Sequence, residues 1–146
     1  MNALKQFTKQ SFWIVLGVLA TMLLGYSEMA VSADTKVTLS GSQEVPPVTT
    51  SASGSGTITV GADKSVSGSI TTTGVAGTAA HIHEGPSGKN GPVIVPLTKT
   101  SDNVWSVAAG AKLTDAQNES YKAGNLYVNV HSAANKGGEI RDQLKP

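Results

Sequence analysis

Three histidines are the residues on which chemistry could be built. His81 and His83 stand two apart in "AHIHEG", and His131 follows in "NLYVNVHS". The chain has no other histidine and no cysteine. On a strand, successive side chains alternate, so His81 and His83 leave the same face about 6–7 Å apart at Cβ. Imidazoles at that spacing can reach one ion with bonds of about 2 Å. Three imidazoles without a thiolate suit copper or zinc; affinity order favours copper, and availability decides in the cell. The alternative is three incidental polar residues on two strands. Exposed histidines need no partner, and Glu84 beside the pair can simply hydrogen-bond to a ring. Spacing alone leaves both readings open.

Other chemistries find less support. Ser132 follows His131 directly, and adjacent strand residues face opposite ways, so the two make no catalytic dyad. "GPSGKNG" (85–91) lacks the Gly-Lys-Ser/Thr ending of a phosphate-binding loop. Glu44, Glu84 and Glu139 could do acid–base work together, but nothing in their spacing unites them. Glu139 and Arg141 share a strand face and read as a surface ion pair of little energetic worth.

The elements that must hold the histidines are mostly strands. "GTITVGA" (56–62) puts Ile58 and Val60 on one face and Thr57 and Thr59 on the other. "SVSGSITT" (65–72) alternates again, and "ADKS" between them makes a hairpin. Further strands are predicted at 36–40, 78–84, 92–97, 103–108, 125–131 and 138–144. On 125–131, Leu126, Val128 and Val130 form the apolar face, leaving Tyr127, Asn129 and His131 on the polar one. Ala80 and Ile82 turn to the core, so all three histidines fall on outward faces. Asn90-Gly91 and Gly137-Gly138 are turn signals, because these residue types tolerate positive φ. One helix is predicted in 113–124, with Thr114 as N-cap, Gln117 completing a capping box, Asp115 favourable to the dipole, and Gly124 ending it. About eight short strands with one short helix predict an all-β fold, an antiparallel Greek-key sandwich or barrel.

Composition sets the surroundings. Lys5 and Lys9 precede an uncharged apolar run, Phe12 to Gly25, which is shorter than the about 20 residues a membrane helix needs. With "AVSA" behind it, this reads as a signal peptide, residues 1–33, cleaved after Ala33 or alternatively after Ala30. Residues 34–146 form one β domain, and its location is expected to be secreted or periplasmic. Beyond the leader, acidic and basic residues balance, so neither nucleic acid nor an anionic membrane is an expected partner. No membrane contact is expected apart from the signal segment. Without cysteine, the exported domain must fold without disulfides.

The blocks "LSGSQEVPPV", "AHIHEGPSGKNGPVIVPL", a Trp-Ser-Val segment, "LTDAQNESYKAGNLYVNVHS" and "NKGGEIRDQL" resemble the chordin-type (CHRD) domain in order and over nearly the whole of 37–144. That resemblance implies an exported β-rich domain. The family pattern includes His81, His83, Glu84, Asn129, His131, Gly138, Glu139 and Arg141. A shorter likeness links "HIHEG" and "YVNVH" to the copper-ligand strands of copper/zinc superoxide dismutases. A fourth copper-type histidine, the zinc ligands and the cysteine pair of that family are missing here. The leading expectation is a non-enzymatic binding or structural module, holding one copper or zinc ion at His81, His83 and His131, with an extracellular or periplasmic ligand that the sequence does not name. The alternatives are a copper-dependent redox enzyme of the dismutase type, and an adhesion domain using the Ser/Thr-rich strands and the 85–92 loop.

Overall fold

The computed structural model describes residues 32–146. The expected leader lies outside them except for its last two positions. Eight strands follow the sequence pattern: β1 (Ala33–Ser40), β2 (Ser53–Val60), β3 (Val66–Thr73), β4 (Gly77–Glu84), β5 (Val93–Ser101), β6 (Val104–Val107), β7 (Leu126–Ser132) and β8 (Ile140–Leu144). They close into an antiparallel barrel in the order β1-β2-β3-β6-β5-β4-β7-β8. The β3-β6-β5-β4 order is a Greek key: three hairpin-linked strands fold back so that β6 lies beside β3. Closure removes the free edges that an open sheet would expose. At the seam, Ser40 pairs with Arg141, and the Asp142 carboxylate accepts the backbone N–H of Thr38 at 2.7 Å.

Alternation becomes an inside and an outside. Ile58, Ile70, Val128, Val130, Ile140 and Leu144 are fully buried and fill the barrel with Val37, Leu39, Ala80 and Ile82. The sole tryptophan of the described residues, Trp105, joins this core. Burial of such side chains contributes about 1.5–3 kcal/mol each, which is what lets the domain dispense with disulfides.

The α-helix of the described residues, α1 (Asp115–Lys122), joins β6 to β7 and carries the full capping box: Thr114 Oγ1 accepts from the Gln117 N–H, and Gln117 Oε1 accepts from the Thr114 N–H. It ends where Gly124 takes φ +73. Tyr121 anchors it over one end of the barrel, its hydroxyl 2.9 Å from Thr35 Oγ1. Ser120 donates to Glu84 at 2.6 Å. Glu84 is therefore turned toward the helix and away from the histidines. Among the described residues no helix is long and apolar enough to cross a membrane.

Candidate metal centre on the outer face of β4, β7 and β8

Sequence parity puts His81 and His83 on one face of β4, but whether His131 joins them depends on strand order. The strand order of the closed barrel supplies the answer by making β4 and β7 neighbours. Their register pairs Ala79 with His131, His81 with Asn129 and His83 with Tyr127. The three rings therefore share one outward face. His81 Nδ1 and His131 Nε2 are 3.0 Å apart, and the ligand-type atoms of all three histidines lie within 4.8 Å of one another.

Each ring is oriented by a backbone carbonyl or by its neighbour. His83 Nδ1 donates to the carbonyl of Gly91 at 2.9 Å, and His131 Nδ1 donates to that of Lys136 at 2.9 Å. A carbonyl only accepts, so both rings carry their proton on Nδ1 and present a bare lone pair at Nε2. His131 Nε2 receives the Nδ1 proton of His81. His83 Nε2 receives nothing: it is buried with no hydrogen-bond partner. Burial holds both His81 and His83 below the ordinary imidazole pKa of 6.5, reinforced for His81 by His131 and then His83; the Gly91 carbonyl opposes the shift at His83. Both are neutral at pH 7, the form that binds metal.

The outward face is more enclosed than strand alternation implies. Tyr127, Asn129 and Arg141 are each no more than 2% exposed. Segments 41–48 and 85–92 cover this side of the sheet. His83 stacks on Tyr127 with ring centroids 4.8 Å apart and planes 5° from parallel, and the Arg141 guanidinium carbon lies 3.4 Å from the Tyr127 centroid. Arg141 and Gln143 pin the 85–92 loop. The Arg141 Nη2 donates to the carbonyls of Pro86 and Lys89, Nη1 donates to Asn90 Oδ1, and Gln143 Nε2 donates to Gly85 O. The expected surface pair of Arg141 with Glu139 does not form. Arg141 points into the buried stack, and Glu139 accepts from Thr50 Oγ1 at 2.8 Å. The acidic group nearest in influence to Arg141 is Glu44, from the segment after β1.

Gly91 also differs from the reading of Asn90-Gly91 as a positive-φ turn. The positive φ of this loop is at Gly88. Gly91 is required for close approach, because a Cβ there would lie 1.6 Å from the carbonyl oxygen of Glu84. The hydrogen bond that Glu84 could make to a ring does not form, since Glu84 accepts from Ser120; Tyr127 and Asn129 are the residues that lie beside the rings.

The arrangement can do two things. It offers an ion three imidazole nitrogens, and it leaves His81 and His131 open on one side to a bowl of about 480 Å³ whose wall includes Thr78, Ser132 and Lys136. The CHRD domain model matches residues 35–144, which takes in every strand and all three histidines. The chain belongs to the CHRD domain family. No curated protein and no solved structure matches it. In this CHRD domain the sequence blocks that carry the resemblance include the barrel's outer face. "SQEVPP" brings Glu44, "HIHEGPSGKNG" brings two histidines and their covering loop, "YVNVH" brings the β7 face, and "GGEIRDQ" brings Gly138, Arg141 and Gln143. Sequence reasoning missed Glu44, Arg141 and Gln143 as parts of one buried network. The only available signal was that charged residues recur inside the family blocks.

Proposed function

We propose that this CHRD domain is an exported binding or structural module that holds one copper or zinc ion through His81 Nδ1, His83 Nε2 and His131 Nε2. The observation that carries the proposal is the convergence of three imidazoles, with His81 Nδ1 and His131 Nε2 already 3.0 Å apart and the ligand-type atoms of all three within 4.8 Å of one another. His83 Nε2 is a buried acceptor that needs either an ion or a donor, since leaving it unpaired costs about 1–3 kcal/mol. Nitrogen ligands about 2 Å from one ion lie about 3–3.4 Å apart, the spacing His81 and His131 already have. The Gly91 and Lys136 carbonyls fix two rings with Nε2 inward, as backbone acceptors do for metal-bound imidazoles. His81 must pass its Nδ1 proton to Nε2 or to solvent when the ion enters. A bound copper ion would supply Lewis acidity or a one-electron couple, and zinc the former alone. Export is supported by the basic start and short apolar run of the leader, and by the extracellular setting of CHRD domains. The partner is an extracellular or periplasmic ligand.

Titration of the protein with copper(II) or zinc(II) tests the site. Wild type is expected to bind one ion, each single His→Ala change to weaken binding strongly, and the triple variant to lose it. Equal binding by wild type and the triple variant would reject the site. The open bowl favours one second reading, a copper-dependent redox enzyme of the dismutase type. Copper-loaded protein that consumed superoxide no faster than free copper would rule that reading out.

A further inference from the structure

Three buried polar atoms without a hydrogen bond belong to adjacent residues on the outer face: His83 Nε2, Asn129 Oδ1 and Glu44 Oε1. Asn129 stands between the other two, its amide alongside both Glu44 and His83. Glu44 Oε1 and Asn129 Nδ2 crowd one space over Gly138, where a Cβ would meet them at 2.4 and 2.6 Å. Gly138, with φ +137, keeps that space free of any side chain.

As it stands, the amide nitrogen lies on the Glu44 side, and the amide oxygen and the neighbouring His83 Nε2 are two buried acceptors without a donor. A half-turn of the amide resolves this: Nδ2 donates to His83 Nε2, and Oδ1 turns to Glu44. That second arrangement is satisfied only if Glu44 is a carboxylic acid that donates to Oδ1. Each orientation of one amide therefore fits one state of Glu44 and one state of His83.

We propose that Asn129 couples occupancy of the three-histidine site to the ionisation of Glu44. Without metal, Glu44 donates to Asn129 Oδ1 and Asn129 Nδ2 donates to His83 Nε2. A divalent ion takes the Nε2 lone pair, the amide turns over, and its Nδ2 then donates to a Glu44 carboxylate. One O–H bond of Glu44 breaks, one proton leaves, and no electrons are transferred. Glu44 lines a cleft of about 420 Å³ with Ser42, Gln43 and Ser87, which gives the proton a path to water. Glu44 and Asn129 are positioning residues here, and the new carboxylate offsets part of the ion's charge.

The electrostatics poise Glu44 for this role. Burial raises its carboxyl to about 7, opposed by Arg141 from β8, by the Asn129 amide from β7 and by the Val45 N–H of its own segment. Glu139, at the entrance to β8, is turned to Thr50. His83 on β4 is neutral near pH 7, its pKa held down by burial.

The proposal rests on the three-histidine site, and calorimetry with zinc(II) separates the two. Proton release is counted in buffers of different ionisation enthalpy, for wild type and Glu44→Gln. At pH 6 wild type is expected to release about one proton more than the variant, and at pH 8.5 the difference should vanish. Between pH 6 and 8, wild-type affinity should gain about tenfold more than that of the variant. Binding with equal proton counts at pH 6 would overturn the coupling and leave the metal site standing. No zinc binding by wild type would overturn both. Infrared difference spectra of wild type need no variant: zinc addition at pH 6 should remove a carboxylic-acid carbonyl band, and an unchanged band would refute the coupling.

Discussion

Gly91→Ala should be among the most damaging single-methyl additions to this domain. The added Cβ would lie 1.6 Å from the Glu84 carbonyl oxygen and 2.7 Å from its carbon. Both are backbone atoms of β4 and cannot rotate away, so the 85–92 loop itself must lift. Three hydrogen bonds lie on that hinge: Glu84 N–H to Pro92 O at 3.0 Å, His83 Nδ1 to Gly91 O at 2.9 Å, and Gly91 N–H to the Tyr127 hydroxyl at 3.2 Å. At a net of about 1 kcal/mol each, their loss comes to about 3 kcal/mol. Overpacking strain of about 1–3 kcal/mol is relieved only to the extent that those bonds break, so the two figures are not summed. His81→Ala removes a half-buried ring on an open bowl and should cost less than about 1 kcal/mol. Urea denaturation of both variants gives the comparison. The same lift frees the His83 ring, so zinc affinity of Gly91→Ala should fall about 10–100-fold, the usual cost of losing an orienting partner. A Gly91→Ala midpoint within error of wild type would refute the close-approach argument. A Gly91→Ala protein that is destabilised yet binds zinc normally would show that the Gly91 carbonyl does not orient His83.

Three further outcomes follow from the same contacts. Glu44 is protonated in the fold up to about pH 7 but only to about 4.5 when unfolded, so the folded state holds the extra proton between those values. Stability in the absence of metal should therefore fall as pH rises from about 4.5 to about 7, by about 2–3 kcal/mol, and Glu44→Gln should flatten that slope in denaturant melts. Arg141→Lys cannot reproduce the forked contacts to Pro86, Lys89 and Asn90 or the stacking on Tyr127, and should cost about 2–3 kcal/mol in the same assay. Thr114→Ala removes one half of the capping box and should cost about 1 kcal/mol without altering metal binding.

The strands were legible because each pairs a filled interior with a polar outside. Ile58 and Val60 against Thr57 and Thr59, or Val128 and Val130 against Asn129 and His131, announce both the element and its inward face. The same parity put His81 and His83 side by side. Their meeting with His131 was not legible, since β4 and β7 are joined only through β5, β6 and α1, and strand order is a property of the whole barrel. Burial of the outer face was also hidden. Alternation marks Tyr127 and Arg141 as outward, and outward usually means wet; here the segments around Glu44 and Lys89 close over them. Arg141 was consequently read as half of a surface pair, whereas desolvation made its stacking partner and the loop carbonyls its real contacts. Gly91 was singled out for its backbone freedom, but the structure requires its missing side chain. The distance that decides this, to Glu84, lies across a chain reversal that residue type alone does not measure. Glu44 left no periodic trace, since it caps a single 3-10 turn, Gly41–Gln43, and lies in no strand.

The most direct test of the central claim is a crystal of the copper-loaded protein measured at the copper absorption edge. One anomalous peak is expected about 2 Å from each of His81 Nδ1, His83 Nε2 and His131 Nε2, with the Nδ1 bonds of His83 to Gly91 and of His131 to Lys136 intact. A peak bound elsewhere, or a fully loaded protein in which His83 Nε2 remains without the ion, would contradict it.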